Sequence, residues 1–135
     1  MTQPPGLKVA GSKPKVCRLQ KAIYGLKQAP RAWYIKIDQY LVTQGFQCSP
    51  SGSNLYIKHS GHEILFLVVY VDDLIITGSS EHLISNIKQD LCSTFDMTDL
   101  GLLHYCLGIE VWQTDNNILL SQSKYDKNLL DRFQM

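Results

Sequence analysis

Two adjacent carboxylates, Asp72 and Asp73, interrupt the most apolar stretch of the chain, ILFLVVYVDDLIITG at residues 64–78. An unpaired carboxylate buried among apolar side chains is very costly. The pair therefore belongs at a turn, at the mouth of a site, or on a metal. Hard divalent cations such as Mg²⁺ prefer oxygen ligands of this kind. Two such ions about 4 Å apart activate an attacking hydroxyl and stabilise a leaving oxygen in phosphoryl transfer. Neighbouring side chains of an extended strand point to opposite faces. Both aspartates thus serve one site only if the backbone turns between or just beside them. The alternative is a solvated Asp-Asp turn, which any hairpin can carry. The flanking strands are apolar on both faces, which favours a central hairpin over an exposed edge.

The surrounding elements must supply that turn. Ile64–Val71 and Leu74–Thr77 read as strands that meet at Asp72-Asp73. Leu55–Lys58 and the turn His59-Ser60-Gly61-His62 add a third antiparallel strand. Pro30 suits the first turn of a helix. Trp33, Ile37, Tyr40 and Leu41 then fall at i, i+4, i+7 and i+8, which predicts a helix over 31–44 with Gly45 as its C-cap. Residues 47–54 are rich in turn formers and read as loop. Ser80 and Glu81 open a second helix over 81–94, whose stripe is Leu83, Ile84, Ile87, Leu91 and Phe95. Leu102–Trp112 is strand-like. Asp115-Asn116-Asn117 is a hairpin turn, Ile118–Ser121 pairs back, and a truncated C-terminal helix occupies about 123–135. Val16–Leu19 reads as a short strand and Ala22–Gln28 as a turn or a short helical piece. Residues 1–15, with Pro4, Pro5, Gly6, Gly11 and Pro14, read as a linker-like start. This order is α+β, with helices packed on one face of an antiparallel sheet.

The length of 135 residues suits one domain with a real core. No apolar run reaches the roughly 18 residues that span a bilayer, and the N-terminus lacks the apolar segment of a signal peptide. Cys17, Cys48, Cys92 and Cys106 form no C-x-x-C pair. They read as reduced core thiols of an intracellular protein. Residues 1–37 carry eight Lys and Arg and no acid, and the remainder carries five bases against all twelve acids. A basic segment beside an acidic one suits a polyanion on one side and metal ions on the other. A solvated basic tail accounts for the same asymmetry.

Tyr70-Val71-Asp72-Asp73, set between two apolar runs, resembles the YVDD motif of reverse transcriptases. IYGLKQAPRAWY at 23–34 resembles the hallmark of the Ty1/copia class of retrotransposon polymerases. QPPG at 3–6, MTDLG at 97–101, YCLGIEV at 105–111 and LSQSKYDKNLL at 120–130 are similar to flanking segments of that class, in the same order. The resemblance implies a partial polymerase palm, its antiparallel sheet carrying a central YVDD hairpin. It implies an RNA-directed DNA polymerase that transfers nucleotides with two metal ions. In it Asp72 and Asp73 would be catalytic carboxylates on Mg²⁺, with Mn²⁺ able to replace it. Tyr70 and Val71 would lie against the primer terminus or incoming nucleotide. Lys27, Gln28 and Arg31 match the loop and helix start that line the template and nucleotide pocket, where cations suit phosphates. Leu107 and Gly108 match the hairpin that grips the primer, with Cys106 where the family usually has Phe. Trp33 reads as core.

The implied partners are an RNA template, a DNA primer, dNTP and the remainder of a Pol polyprotein, with no membrane. The implied location is intracellular, in cytoplasmic particles or the nucleus. The family's catalytic set is three aspartates, and the first lies upstream of the QPPG segment, before residue 1. Asp38 falls inside the helix over 31–44 and cannot stand in for it. The expectation is a polymerase fragment that is inactive alone. The alternatives are a non-catalytic or domesticated remnant that holds nucleic acid through residues 1–37, and a product without a selected role.

Overall fold

The computed structural model describes Val16 and residues 18–134. The linker-like start at 1–15 lies outside the described residues. The chain is α+β, with antiparallel sheets and, among the described residues, three helices. It forms two compact units, one running to Leu74 and the other from Ile75.

In the first unit, helix α1 spans Ala29–Thr43 and carries Pro30 in its first turn. Its end is a Schellman motif. Gly45, at φ +85°, donates its N–H to the Val42 carbonyl, and Phe46 donates to that of Leu41. The left-handed position favours glycine, and the motif's apolar contact is supplied by buried Phe46. Strands β1 (Gln47–Ser49), β2 (Gly52–Ser60) and β3 (Glu63–Tyr70) follow, consecutive neighbours running antiparallel. Tyr56 sits opposite Leu67 in the β2–β3 register. Alternation then puts Leu65, Leu67 and Val69 on one buried face. Ile37 and Leu41 of α1 are buried as well, and α1 packs against β1.

Three expectations need correction in this unit. Residues 47–54 are not all loop, because β1 and the start of β2 pair across a short turn at Pro50-Ser51. β3 is not buried equally on both faces: Ile64, Phe66 and Val68 are only half-buried. The strand expected at Val16–Leu19 is reduced to an isolated bridge at Val16, with Arg18 and Leu19 irregular.

Strand β4 (Asp73–Gly78) crosses the division between the units. In the second unit, helix α2 (Glu81–Thr94) buries Ile87 and Leu91. Phe95, one turn further on, and Val111 are also buried. Strands β5 (Tyr105–Cys106), β6 (Ile109–Gln113) and β7 (Ile118–Ser121) form an antiparallel sheet. Helix α3 spans Ser123–Phe133. The Glu110 carboxylate accepts the Lys124 backbone N–H at 3.1 Å, which satisfies one free donor of the α3 N-terminus and complements its dipole. Before β5, Asp99 Oδ1 accepts the Gly101 N–H at 2.9 Å while Oδ2 meets Lys88 Nζ at 3.2 Å. The Gly101 amide first, and Lys88 second, hold the Asp99 carboxyl below the usual carboxylate range.

The stretch Leu102–Trp112, strand-like by its apolar pattern, contains a hairpin that pairs Tyr105 with Glu110 and Cys106 with Ile109. Leu107 and Gly108 form its turn, both at positive φ, +53° and +84°. Positive φ at both central positions is the type I′ pattern whose twist matches flanking strands. The cysteines also differ from expectation. Cys48 and Cys92 are exposed and Cys106 is half-buried, all three as free thiols. Cys92 follows buried Leu91, and one helical step of about 100° carries it off the apolar face. Cys17 lies outside the described residues.

Candidate metal and nucleic-acid site

The two carboxylates flank the junction of β3 and β4. β3 ends at Tyr70, Val71 and Asp72 form the turn, and β4 begins at Asp73. The turn is thus one residue earlier than the Asp72-Asp73 dipeptide suggested. Tyr70 and Val71 are 43% and 56% exposed, and both aspartates are exposed.

Val71 has φ +50° while Asp72 is not in the left-handed region. Positive φ at the first central residue alone is the pattern of a type II′ turn, which normally takes glycine there. A β-branched residue in that conformation is an outlier, and such strain costs roughly 1–3 kcal/mol. The Val71 carbonyl is bonded to α1. Trp33 Nε1–H donates to the Val71 carbonyl at 2.7 Å, across 38 residues of sequence. Pro30, Trp33, Tyr34, Asn54, Val69 and Val71 line a mostly apolar groove of about 200 Å³ between the helix start and the turn.

Tyr34, which lines the groove, belongs to a polar cluster with Tyr56 and Asp38. Tyr34 Oη donates to the Ser53 carbonyl at 2.8 Å, and Tyr56 Oη donates to Asp38 Oδ1 at 2.7 Å. The two hydroxyls lie 3.2 Å apart. Two hydroxyl protons cannot serve three contacts, and the longest is the one left without a proton. Tyr56 has no exposed surface. Burial first, then its contacts to Tyr34 and Asp38, push its phenol far above the ordinary value. Asp38 is thus the acceptor for a buried tyrosine.

Lys27 and Gln28 occupy the turn leading into α1, and Arg31 lies in its first turn. All three are exposed. They therefore share the helix start that carries Pro30 and Trp33. Leu107 and Gly108 form the β5–β6 turn of the second unit, where Leu107 is 56% exposed. Sequence reasoning missed the partner of Trp33. The helical spacing of Trp33, Ile37 and Leu41 marked it as core, yet it is half-buried and its indole N–H points at backbone.

Among the described residues no group of three or more His, Cys, Asp or Glu converges as a metal cage. Asp72 and Asp73 are nevertheless a donor set that suits Mg²⁺. That ion binds through one or two carboxylates, keeps several waters, and takes further oxygens from substrate phosphates. Among the described residues no helix is long and apolar enough to cross a membrane.

The sequence pattern of the family described as reverse transcriptase (RNA-dependent DNA polymerase) matches residues 1–135. The Retrovirus-related Pol polyprotein from transposon RE1 of Arabidopsis thaliana is 44% identical over 135 residues, covering 100% of this chain and 9% of that protein. The corresponding polyprotein from transposon TNT 1-94 of Nicotiana tabacum is 43% identical, covering 100% of this chain and 10% of its own length. The putative transposon Ty5-1 protein of Saccharomyces cerevisiae is 35% identical over 125 residues, covering 91% of this chain and 40% of its own. The chain thus spans about a tenth of the two plant polyproteins. No solved structure matches it.

Proposed function

The chain belongs to the reverse transcriptase family, in the form carried by copia/Ty1-type Pol polyproteins, and from that premise we propose that it is part of the palm of an RNA-directed DNA polymerase. In this reading the β3–β4 junction is the YVDD hairpin. Asp72 and Asp73 hold divalent metal, Mg²⁺ or Mn²⁺. A bound metal would lower the barrier to attack of a primer 3′ hydroxyl on the α-phosphate of an incoming nucleotide, with pyrophosphate leaving. Tyr70 and Val71 face the primer terminus or that nucleotide. Lys27 and Arg31 neutralise phosphates of template or nucleotide, and Gln28 lines the same pocket. Leu107 and Gly108 hold the primer. The proposed partners are an RNA template, a DNA primer, dNTP and other parts of the Pol polyprotein. The whole chain, residues 1–135, is one part of that polymerase domain.

One observation supports this best. A strained, exposed turn presents two adjacent carboxylates and is tied by Trp33 to the same helix start that carries Lys27, Gln28 and Arg31. A solvated turn without function has no use for a β-branched residue at φ +50°.

Residues 1–135 alone are proposed to be inactive, because phosphoryl transfer needs firmly positioned metal ions to neutralise the developing negative charge, and two exposed carboxylates hold such ions only weakly. Primer extension on a homopolymer template with Mg²⁺ or Mn²⁺ tests both statements. The purified chain should extend nothing. A chimera in which this chain replaces the matching segment of the RE1 polyprotein should extend primers, and Asp72→Asn should abolish that. Extension by the chain alone, lost in Asp72→Asn, would overturn the inactivity. A chimera indifferent to Asp72→Asn would overturn the catalytic assignment.

A further inference from the structure

We propose that Trp33 is a positioning residue, whose indole N–H clamps the Val71 carbonyl and so holds the strained turn that presents Asp72 and Asp73. The metal-binding part of this inference rests on the function proposed above, whereas the clamp itself does not.

Three observations converge on it. The Trp33 Nε1 to Val71 carbonyl distance is 2.7 Å, short for an N–H···O bond. The acceptor belongs to the residue with the least favourable backbone conformation in the turn, valine at φ +50°. The donor is itself held, since Trp33 stands on α1 beside Pro30, and Ile37 and Leu41 one and two turns further on are fully buried. A flexible turn would relax valine toward negative φ and swing its carbonyl away. A rigid donor reaching from a buried helix opposes that relaxation. Tyr70 and Asp73 bound the turn directly, so a change at Val71 re-aims the carboxylates of Asp72 and Asp73 that follow it. Because Val71 is 56% exposed, little packing of its side chain holds the turn in place, which leaves the carbonyl as the handle.

The test uses the full chain and NMR-detected hydrogen exchange. In the unsubstituted protein the Trp33 indole N–H should be protected. Fast exchange of that proton would overturn the proposal without any variant. Trp33→Phe should speed exchange of the Val71, Asp72 and Asp73 amides about five-fold relative to Leu65 and Leu67, the loss expected for one hydrogen bond. In a Val71→Gly background, where positive φ costs nothing, Trp33→Phe should change those amides little. An unchanged turn, an equal rise at Leu65 and Leu67, or the same sensitivity in the Val71→Gly background would each overturn the clamp. Mn²⁺ affinity read by electron paramagnetic resonance forms the second arm. It should fall several-fold in Trp33→Phe and recover in the Trp33→Phe/Val71→Gly double variant. Affinity untouched by Trp33→Phe would refute the positioning of the carboxylates. Mn²⁺ binding indifferent to Asp72→Asn and Asp73→Asn would instead sink the proposed function, with the exchange data still deciding the clamp.

Discussion

Removing the Tyr56 hydroxyl should destabilise the first unit by about 1.5 kcal/mol, the low end of the range for a hydrogen bond to a charged group. Tyr56 has no exposed surface and donates to Asp38 Oδ1 at 2.7 Å. In Tyr56→Phe the ring still fills its place opposite Leu67, so the change is confined to the polar contact. The low end applies because Asp38 is half-exposed, and water can take over part of the lost donor's role. Tyr34 remains on the Ser53 carbonyl and does not compensate without giving up that bond. At a urea m-value of about 2 kcal/mol/M the midpoint should fall by about 0.75 M. Fluorescence reads this cleanly in a Trp112→Phe background, since Trp33 then reports the first unit and Trp112 is 61% exposed. Asp38→Asn, which keeps an oxygen acceptor, should cost less than Tyr56→Phe. The alkaline limb gives a second reading of the same group. The folded phenol titrates above the unfolded one, so its contribution is intact below about pH 10 and declines as pH rises further. That decline should shrink in Tyr56→Phe. A midpoint within about 0.1 M of the parent, or an unaltered alkaline limb, would refute the reasoning.

Two other expectations follow from charges the structure places. Asp99 should titrate below the ordinary carboxylate range by NMR, and Lys88→Gln should move it only part of the way back, because the Gly101 amide remains on Oδ1. With a depressed pKa, the stabilisation from Asp99 is present above its unfolded pKa and lost as pH falls through the folded one; a complete return in Lys88→Gln would show the amide to be idle. Neutralising Lys27 and Arg31 together, both exposed at the start of α1, should lower the salt dependence of single-stranded nucleic-acid binding by a log–log slope of about 1.4, from about 0.7 per phosphate contact. An unchanged slope in a fluorescence-anisotropy titration would remove them from the binding surface.

Much of this was legible in the chain because local rules and packing agree. α2 emerges at Glu81–Thr94 as its apolar stripe requires. Gly45 caps α1 as expected, and the Schellman bonds explain why glycine is needed. Other features were hidden where one rule overrode another. Ser49, Ser51, Gly52 and Ser53 are turn formers, yet pairing with a long β2 draws residues 47–49 into an edge strand. Leu107 is a poor residue for φ +53°, so the apolar pattern reads as strand there, and only the family resemblance pointed to a hairpin at Leu107-Gly108. The dyad at Asp72-Asp73 was visible, but the turn that presents it begins at Val71, where a β-branched residue argues against a turn. Only tertiary structure shows why it is tolerated, since the Trp33 donor lies 38 residues away.

That Asp72 and Asp73 form a divalent-metal site is tested most directly by titrating the full chain with Mn²⁺ and following free ion by electron paramagnetic resonance. Two exposed carboxylates should bind weakly, with a Kd on the order of 10⁻⁴–10⁻³ M. Asp72→Asn and Asp73→Asn should each weaken that binding about ten-fold or more, roughly the 1.4 kcal/mol equivalent of a decade, and the double variant should eliminate it. Binding that persists unchanged in the Asp72→Asn/Asp73→Asn double variant would contradict the site.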